Sequence, residues 1–173
     1  VSGTAAITFR PLADGTTSVS FDLVGPVVTS VQEGGSGRAF SQTSTVLTVD
    51  LGTPRAVTDT ITLVVAYAGM TGSGYYTYSL NCYTMTEPSD ARGWFPCHDD
   101  PGDKADSCEI RATVPTGRPL YSNGVLLGSW LGTAAGTTTW DWAERHPIVT
   151  YLMAVTFGDF VSRRRRRGET AIG

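Results

Sequence analysis

A chain of 173 residues is long enough for one domain with a substantial core. Its content of 40% hydrophobic and 17% charged residues is that of a globular protein and excludes intrinsic disorder. The net charge is −3, but five of the thirteen basic residues stand together at 163–167, so that without them the body carries −8. An acidic body argues against a nucleic-acid-binding face, and no apolar run approaches the roughly 20 residues of a membrane helix.

Most of the chain alternates apolar and polar residues, which is the pattern of strands buried on one side. The first clear case is SVSFDLV at 18–24, and ITLVVAYAG at 61–69 follows with apolar residues on both faces, which predicts a central strand. Alternation returns in SCEIRATV at 107–114, and IVTYLMAVTFGDF at 148–160 predicts a second central strand. The alternating segments place on their buried faces Val19, Phe21, Leu23, Cys108, Ile110, Ala112 and Val114.

Turn residues separate these strands at short intervals. GGSG at 34–37 and GTAAGTTT at 132–139 predict loops, and a short turn is expected around 88–93. SNG at 122–124 predicts a type I′ hairpin, because Asn and Gly both tolerate positive φ. The sequence therefore predicts one all-β domain of ten or more strands, either sandwich-like or a large curved sheet.

The three cysteines, Cys82, Cys97 and Cys108, allow at most one disulfide, and their spacing matches no zinc-ribbon pattern. This usage favours a reducing compartment such as the cytoplasm. The two histidines, His98 and His146, lie outside any H-E-x-x-H motif, so the sequence predicts no metal site in this chain.

The segment ARGWFPCHDDPGDKADS at 91–107 is the most unusual part of the chain. It lacks the ligand pattern of a calcium loop, and a Cys97–His98 dyad competes with a packed thiol. The remaining interpretation is an ordered corner between strands. Pro96 forces Phe95 into an extended conformation, Asp99 and Asp103 cap turns, and the basic side chains of Arg92 and Lys104 pair with these acids.

The wider segment YTMTEPSDARGWFPCHDDPGDKADSCEIRATVP at 83–115 resembles the N-terminal domain of the aminopeptidase N family of zinc metallopeptidases. The family pattern runs approximately T-Q-x-E-P-x-x-A-R-x-x-F-P-C-x-D-x-P-x-x-K-A and is followed by a strand. The segments VSGTAAITFRPL, SNGVLLGS and TTTWDWAERHPIVTYLMAVTFGDF resemble the same domain in the same order. The residues in register with the pattern are Thr84, Glu87, Pro88, Ala91, Arg92, Phe95, Pro96, Cys97, Asp99, Pro101, Lys104 and Ala105.

The resemblance implies an all-β, saddle-shaped, mostly antiparallel β-sandwich-like domain that packs against a catalytic domain of the same polypeptide. Residues 1–162 would form this domain, incomplete at both ends, and 163–173 an Arg-rich tail. The same resemblance implies that zinc is the cofactor of the full-length enzyme and is bound by the catalytic domain. This chain lacks H-E-x-x-H and is expected to be inactive alone.

The resemblance also assigns site residues. Glu87 stands where the family binds the free α-amino group of the peptide substrate, and Met85 stands where the family commonly has a Gln that lines the first specificity pocket. Arg92, Phe95, Pro96, Asp99 and Lys104 would form the structural corner that holds this loop. Gly93 and His98 fall at positions that we expect to vary.

Three functions remain open at this point. The first is the non-catalytic N-terminal domain of a zinc aminopeptidase, which supplies a residue that binds the substrate amine. The second is a stand-alone β-sandwich binding or interaction module without enzymatic activity, and the third is a carbohydrate- or calcium-binding sandwich that uses the acidic loop.

Overall fold

The structure is a computed structural model that describes residues 1–160, so the predicted tail at 163–173 and the boundary at 162 lie outside the described residues. Within this range the chain is built almost entirely of strands, which confirms the all-β class. Two short 3₁₀ helices, Ala91–Gly93 and Thr150–Leu152, interrupt them. The strands are β1 (Ser2–Phe9), β2 (Thr16–Asp22), β3 (Val27–Glu33), β4 (Ser36–Gly37), β5 (Phe40–Gln42), β6 (Val46–Arg55), β7 (Ile61–Ala68), β8 (Tyr75–Tyr78), β9 (Asn81–Thr84), β10 (Lys104–Ala105), β11 (Cys108–Pro115), β12 (Leu120–Ser122), β13 (Val125–Leu131), β14 (Thr137–Glu144), β15 (Ile148–Val149) and β16 (Val155–Phe157).

The N-terminal half consists of two antiparallel sheets packed face to face. The four-stranded sheet has the order β1-β7-β3-β4, and the three-stranded sheet has the order β2-β6-β5. Their inner faces meet in a largely aliphatic cluster, which we call the N-terminal core. Its buried members are Phe21, Leu23, Val28, Val31, Leu47, Val49, Leu51, Ile61, Leu63 and Val65.

The C-terminal half repeats this arrangement with shorter strands. A three-stranded sheet of order β11-β14-β13 and a four-stranded sheet of order β12-β16-β9-β8 enclose a second cluster, and β10 pairs with β15 beside them. We call this cluster the C-terminal core; it is rich in aromatic rings, with Tyr75, Phe95, Trp140 and Trp142 packed around its buried members. Those buried members are Trp94, Val114, Leu120, Ile148, Met153 and Val155.

The alternating segments behave as predicted. In 18–24, Phe21 and Leu23 are buried in the N-terminal core, and Val19 packs against it. Cys108, Ile110 and Ala112 of β11 face the C-terminal core, and Val114 is buried in it. The segment 61–69 forms β7, which lies between β1 and β3 and is therefore a central strand.

The prediction of one long central strand at 148–160 is wrong. This run divides into β15, a 3₁₀ helix and β16, and only β16 is central, between β12 and β9. Met153 and Val155 enter the C-terminal core, while the hydroxyl of Thr150 donates to Asp99 Oδ1 at 3.1 Å. A continuous apolar run specifies burial but not the backbone conformation, which is why the pattern did not reveal the break.

The hairpin predicted at 122–124 is also wrong. β12 pairs with β16 and β13 pairs with β14, so the two strands flanking SNG belong to different sheets. Asn123 instead accepts the amide hydrogen of Ala154 on Oδ1 at 2.7 Å. Type I′ chemistry occurs earlier, where Gly34 and Gly35 both have positive φ between β3 and β4.

The segment 91–99 joins the two halves. Asp22, at the end of β2, and Cys97 exchange backbone hydrogen bonds of 2.7 and 3.2 Å. The amide of Val24 donates to the carbonyl of Arg92 at 2.8 Å, in the same region. The corner predicted from the sequence is therefore the junction between the N-terminal and C-terminal halves.

Candidate functional site

An ion pair between a half-buried arginine and a fully buried aspartate lies at the centre of the corner. The Asp99 carboxylate is fully buried, and Arg92 donates to its Oδ2 from Nε at 3.0 Å and from the backbone amide at 3.2 Å. Thr150 donates to the other oxygen, and Asp22 accepts both the Asp99 amide at 3.1 Å and an Arg92 Nη1 contact at 3.5 Å. These bonds connect β2, the corner and the second 3₁₀ helix.

The carboxylates of this network raise the pKa of Arg92 and that of the neighbouring Cys97. Burial acts to lower the pKa of Arg92, but the hydrogen bond to Asp99 and the charges of Asp22 and Asp99 outweigh it and raise that pKa. Burial, together with the nearby carboxylates, raises the pKa of the Cys97 thiol well above its ordinary value. A neutral, buried thiol is a poor nucleophile, and His98 Nδ1 contacts Asp103 at 2.9 Å, so the geometry does not favour a Cys97–His98 dyad.

The other predicted corner residues are placed as follows. Pro96 is fully buried, and the Phe95 ring packs edge-on against Trp94 at 4.5 Å between centroids. Lys104 is exposed in β10, and the ion pair expected for it is not found within residues 1–160. The prediction that Asp99 and Asp103 cap turns is wrong, because Asp99 accepts from Arg92 and Asp103 contacts His98. The turn beyond the corner is capped by Asp100, whose Oδ1 accepts the Gly102 amide at 2.7 Å.

Gly93 is constrained by its surroundings, although we expected position 93 to vary. A Cβ at this position would overlap the carbonyl oxygen of Ser73, and the Gly72 amide donates to the Gly93 carbonyl at 2.7 Å. Only a residue without a side chain permits this approach of two backbones. The signal was absent from the sequence because Ser73 lies 20 residues away.

The segment that precedes the corner alternates between inward and outward side chains. Thr84 and Thr86 point inward: Thr84 Oγ1 accepts the Val155 amide at 2.9 Å, and Thr86 donates to the Tyr151 carbonyl at 2.6 Å. Tyr83, Met85 and Glu87 are exposed. Because successive side chains of an extended chain point to opposite faces, Tyr83 and Met85 share the outward face, and Glu87 follows them, exposed, at the start of the turn 87–90.

Glu87 and Met85, the two predicted substrate-binding residues, are therefore brought onto one surface. The Met85 side chain is 59% exposed, and its amide donates to the Gly74 carbonyl at 2.8 Å. Glu87 is exposed and precedes Pro88 through a cis peptide bond. The inward threonines and the Gly74 contact hold the backbone from which both side chains project.

A zinc ion does not fit the described residues. His98 and His146 are occupied separately, by Asp103 and by Glu144 at 2.8 Å. Among residues 1–160, no three His, Cys, Asp or Glu side chains are grouped to hold a metal ion. The three cysteines are free thiols. Within the same residues, no helix is long and apolar enough to cross a membrane.

The fold and this geometry define a β-sandwich-like domain that presents an exposed carboxylate on a clamped segment and carries no metal centre within residues 1–160. Comparison with protein families identifies the class more closely. Residues 1–152 match the peptidase M1 N-terminal domain, and the chain belongs to that family. The resemblance recognised in 83–115 is thereby confirmed.

Solved structures agree with this assignment. An M1 zinc metallopeptidase from Deinococcus radiodurans is similar at 27% identity and a TM-score of 0.84, over 91% of this chain and 37% of that one. A mutant of that enzyme has been solved with a Tyr-Ser-Ala substrate. Yeast LTA4 hydrolase shares the fold at 19% identity and a TM-score of 0.69, over 94% of this chain and 27% of its own.

The chain thus spans little more than a third of the M1 metallopeptidases it resembles. No curated protein matches it significantly.

Proposed function

We propose that this chain is the non-catalytic N-terminal β-domain of a zinc metallo-aminopeptidase. In this proposal it packs on the catalytic domain of the same polypeptide and supplies Glu87 to bind the N-terminal amine of the peptide substrate. Zinc, the cofactor of the full-length enzyme, is held outside residues 1–160, because the histidines and acids of this range do not form a ligand set. The M1 metallopeptidases that resemble it have the additional length that a catalytic domain requires.

The observation that carries the proposal is the position of Glu87. Its carboxylate is exposed at the end of a segment whose intervening threonines are tied to 151–155, so it is free to meet a ligand while its backbone is held. A carboxylate facing a cationic amine makes a charge-assisted hydrogen bond, roughly twice as strong as a neutral one. Such a contact recognises the N-terminus of a peptide, as an exopeptidase acting on N-termini requires.

Met85 lies one outward position before Glu87 and is proposed to line the pocket for the first substrate side chain. Its thioether offers polarizable, apolar surface in place of an amide donor. The buried Arg92–Asp99 pair and Pro96 act at a distance from the substrate, since they hold the junction from which the 83–87 segment is supported.

The test uses the zinc-loaded full-length peptidase that contains this chain, with aminoacyl reporters. Glu87→Gln keeps the shape and removes the charge, and we expect kcat/KM to fall about 10- to 100-fold, on the scale of a charged hydrogen bond. Glu109→Gln is the matched control, because Glu109 lies on the exposed face of β11 and pairs with Arg111 and Arg145. Equal activity of the two variants would contradict the amine-binding role.

A second measurement tests the non-catalytic assignment. The purified 173-residue chain, supplied with zinc, should release no aminoacyl product. Zinc-dependent release by this chain alone would contradict the proposal.

The alternative of a stand-alone interaction module is favoured by one observation. β13 is an edge strand, and its side chains Val125, Leu126, Leu127, Trp130 and Leu131 are all more than 40% exposed. An exposed apolar edge strand favours pairing with another chain. An H-E-x-x-H motif in the reading frame beyond residue 173 would support the aminopeptidase proposal. A stop codon soon after residue 173 would support the stand-alone interaction module.

A further inference from the structure

The outward face that carries Glu87 and Met85 continues to Tyr83. In extended chain, side chains two residues apart on one face are separated by about 6.6 Å, which is the spacing expected for Tyr83 and Met85. Glu87 follows Met85 at the start of the turn 87–90. Tyr83 is 47% exposed. A ligand whose amine is held at Glu87 therefore meets Met85 first and Tyr83 only at its far end.

Tyr83 is a rigid, paired ring. It lies opposite Tyr76 in the β8–β9 register, and the two rings stack with centroids 5.3 Å apart and planes inclined by 22°. On its other side, β9 pairs with β16 through Thr156 opposite Tyr83. Because both neighbouring strands hold β9 and the two rings stack on each other, the pair is an ordered aromatic contact before a ligand binds.

We propose that Tyr83 and Tyr76 form the far wall of the pocket for the first substrate side chain, and that this wall selects peptides with a large aromatic N-terminal residue. This inference rests on the proposed function, in which Glu87 binds the amine. A short side chain such as that of alanine ends beside Met85. A tryptophan side chain extends farther along this face, and in this proposal its ring packs against the tyrosine pair.

The chemistry of the three side chains favours an aromatic occupant. Tyr76, Tyr83 and Met85 carry no charge, aromatic rings pack favourably on one another, and a thioether makes favourable contacts with a ring edge. An added aromatic contact of this kind corresponds to about a three- to tenfold change in an equilibrium or rate constant. The wall therefore adds to the discrimination between aromatic and small first residues without affecting the amine contact.

The same exposed tyrosines could instead be covered by the catalytic domain. In that case they would support the assembly of the enzyme and would act on all substrates alike. The two roles are separable, because a specificity wall changes the ratio of activities on different substrates, whereas a domain contact changes stability and every activity together.

The experiment compares Tyr83→Ala, Tyr83→Phe and Tyr78→Ala in the zinc-loaded full-length peptidase, with Trp and Ala reporters. Tyr78 is the matched control: it lies on the same sheet face, is 79% exposed, and pairs with Asn81 farther from Glu87. We expect Tyr83→Ala to lower the ratio of kcat/KM for Trp over Ala about three- to tenfold, and Tyr83→Phe and Tyr78→Ala to leave it within about twofold.

Calorimetric binding of free L-tryptophan and L-alanine, which have the α-amine and the side chain but no scissile bond, provides a readout independent of turnover. Tyr83→Ala should weaken the binding of L-tryptophan by the same factor and leave that of L-alanine unchanged. An unchanged Trp/Ala ratio, or an equal loss on both reporters with a lowered melting temperature, would overturn the inference. Glu87→Gln distinguishes failure of this inference from failure of the proposed function. If Glu87 binds the amine, Glu87→Gln lowers activity on both reporters, whether or not the tyrosine pair affects the Trp/Ala ratio.

Discussion

The N-terminal and C-terminal halves of this domain are held together by different means. The N-terminal half has long strands and a core in which Leu23, Leu47, Leu51 and Leu63 are completely buried. The C-terminal half has one sheet made only of three- and four-residue strands, together with two 3₁₀ helices. Its segments are tied by side chains that bond to distant backbone, as with Thr86 to Tyr151 and Asn123 to Ala154. The half that carries the candidate site is the half with the less regular backbone.

This difference has a physical basis. A regular strand points its side chains only up or down and pairs its backbone along its length, which suits a scaffold. A site needs an exposed side chain on backbone that does not move, and where the ladder ends that backbone must be held by other donors and acceptors. The threonines around Met85 and the Arg92–Asp99 pair serve this purpose.

The largest expected effect comes from breaking the corner. Asp99→Ala removes the buried acceptor of three hydrogen bonds, from Arg92 Nε, the Arg92 amide and Thr150, and we expect a loss of about 3–5 kcal/mol in the free energy of unfolding. Asp103→Ala is the control; its side chain is 60% exposed and pairs only with exposed His98, so we expect a change below about 0.5 kcal/mol. Urea denaturation measures both, and similar losses would show that the buried pair has no special role.

The second prediction concerns the N-terminal core. Leu63→Ala should cost about 3 kcal/mol through a cavity among fully buried aliphatic side chains. All four tryptophans, at 94, 130, 140 and 142, lie in the C-terminal half, so native tryptophan emission should remain unchanged in this variant and shift to the red in Asp99→Ala. A red shift in Leu63→Ala would contradict the separation of the two halves.

The third prediction tests the clamp under the site. Thr86→Val keeps the side-chain shape and leaves the Tyr151 carbonyl without its donor, so we expect a loss of about 1–2 kcal/mol in urea denaturation. Thr17→Val, at an exposed position of β2, is the control and should be nearly neutral. If both variants are equally stable, the hydroxyl of Thr86 does not hold the 83–87 segment.

The smallest expected effect is a pH dependence from Cys97. Burial raises the folded-state pKa of this thiol above the unfolded value of 9.0, so its contribution to stability is fully present below pH 9 and is lost as the pH rises. The loss from this group should be about 1 kcal/mol between pH 9 and pH 10. Cys97→Ser removes the titrating thiol, so the free energy of unfolding should fall less steeply with pH than in the unchanged protein. Identical pH dependences of the free energy of unfolding would contradict a buried, neutral thiol.

Particular elements show how far sequence reasoning reached. The alternation of apolar and polar residues at 18–24 and 107–114 identified both strands and their buried faces. A period of two indicates a strand with one face buried and the other in contact with solvent. The same reasoning failed at 148–160, where uniform apolarity records burial alone. The motif at 83–105 identified the family, but the partners of its central acid, Asp22 and Thr150, lie 77 and 51 residues away and carry no local signal.

By itself, the sequence determined that the chain is an all-β domain, which alternating segments are half-buried, and which family it belongs to, because strand periodicity and a motif of fixed spacing are local properties. Only the tertiary structure decided that Thr84 and Thr86 face inward onto 151–155, that Gly93 must lack a side chain, and that Tyr83 and Tyr76 stack on each other. These features arise where segments distant in the chain meet, and their energies depend on close packing and on hydrogen-bond partners that no single segment contains.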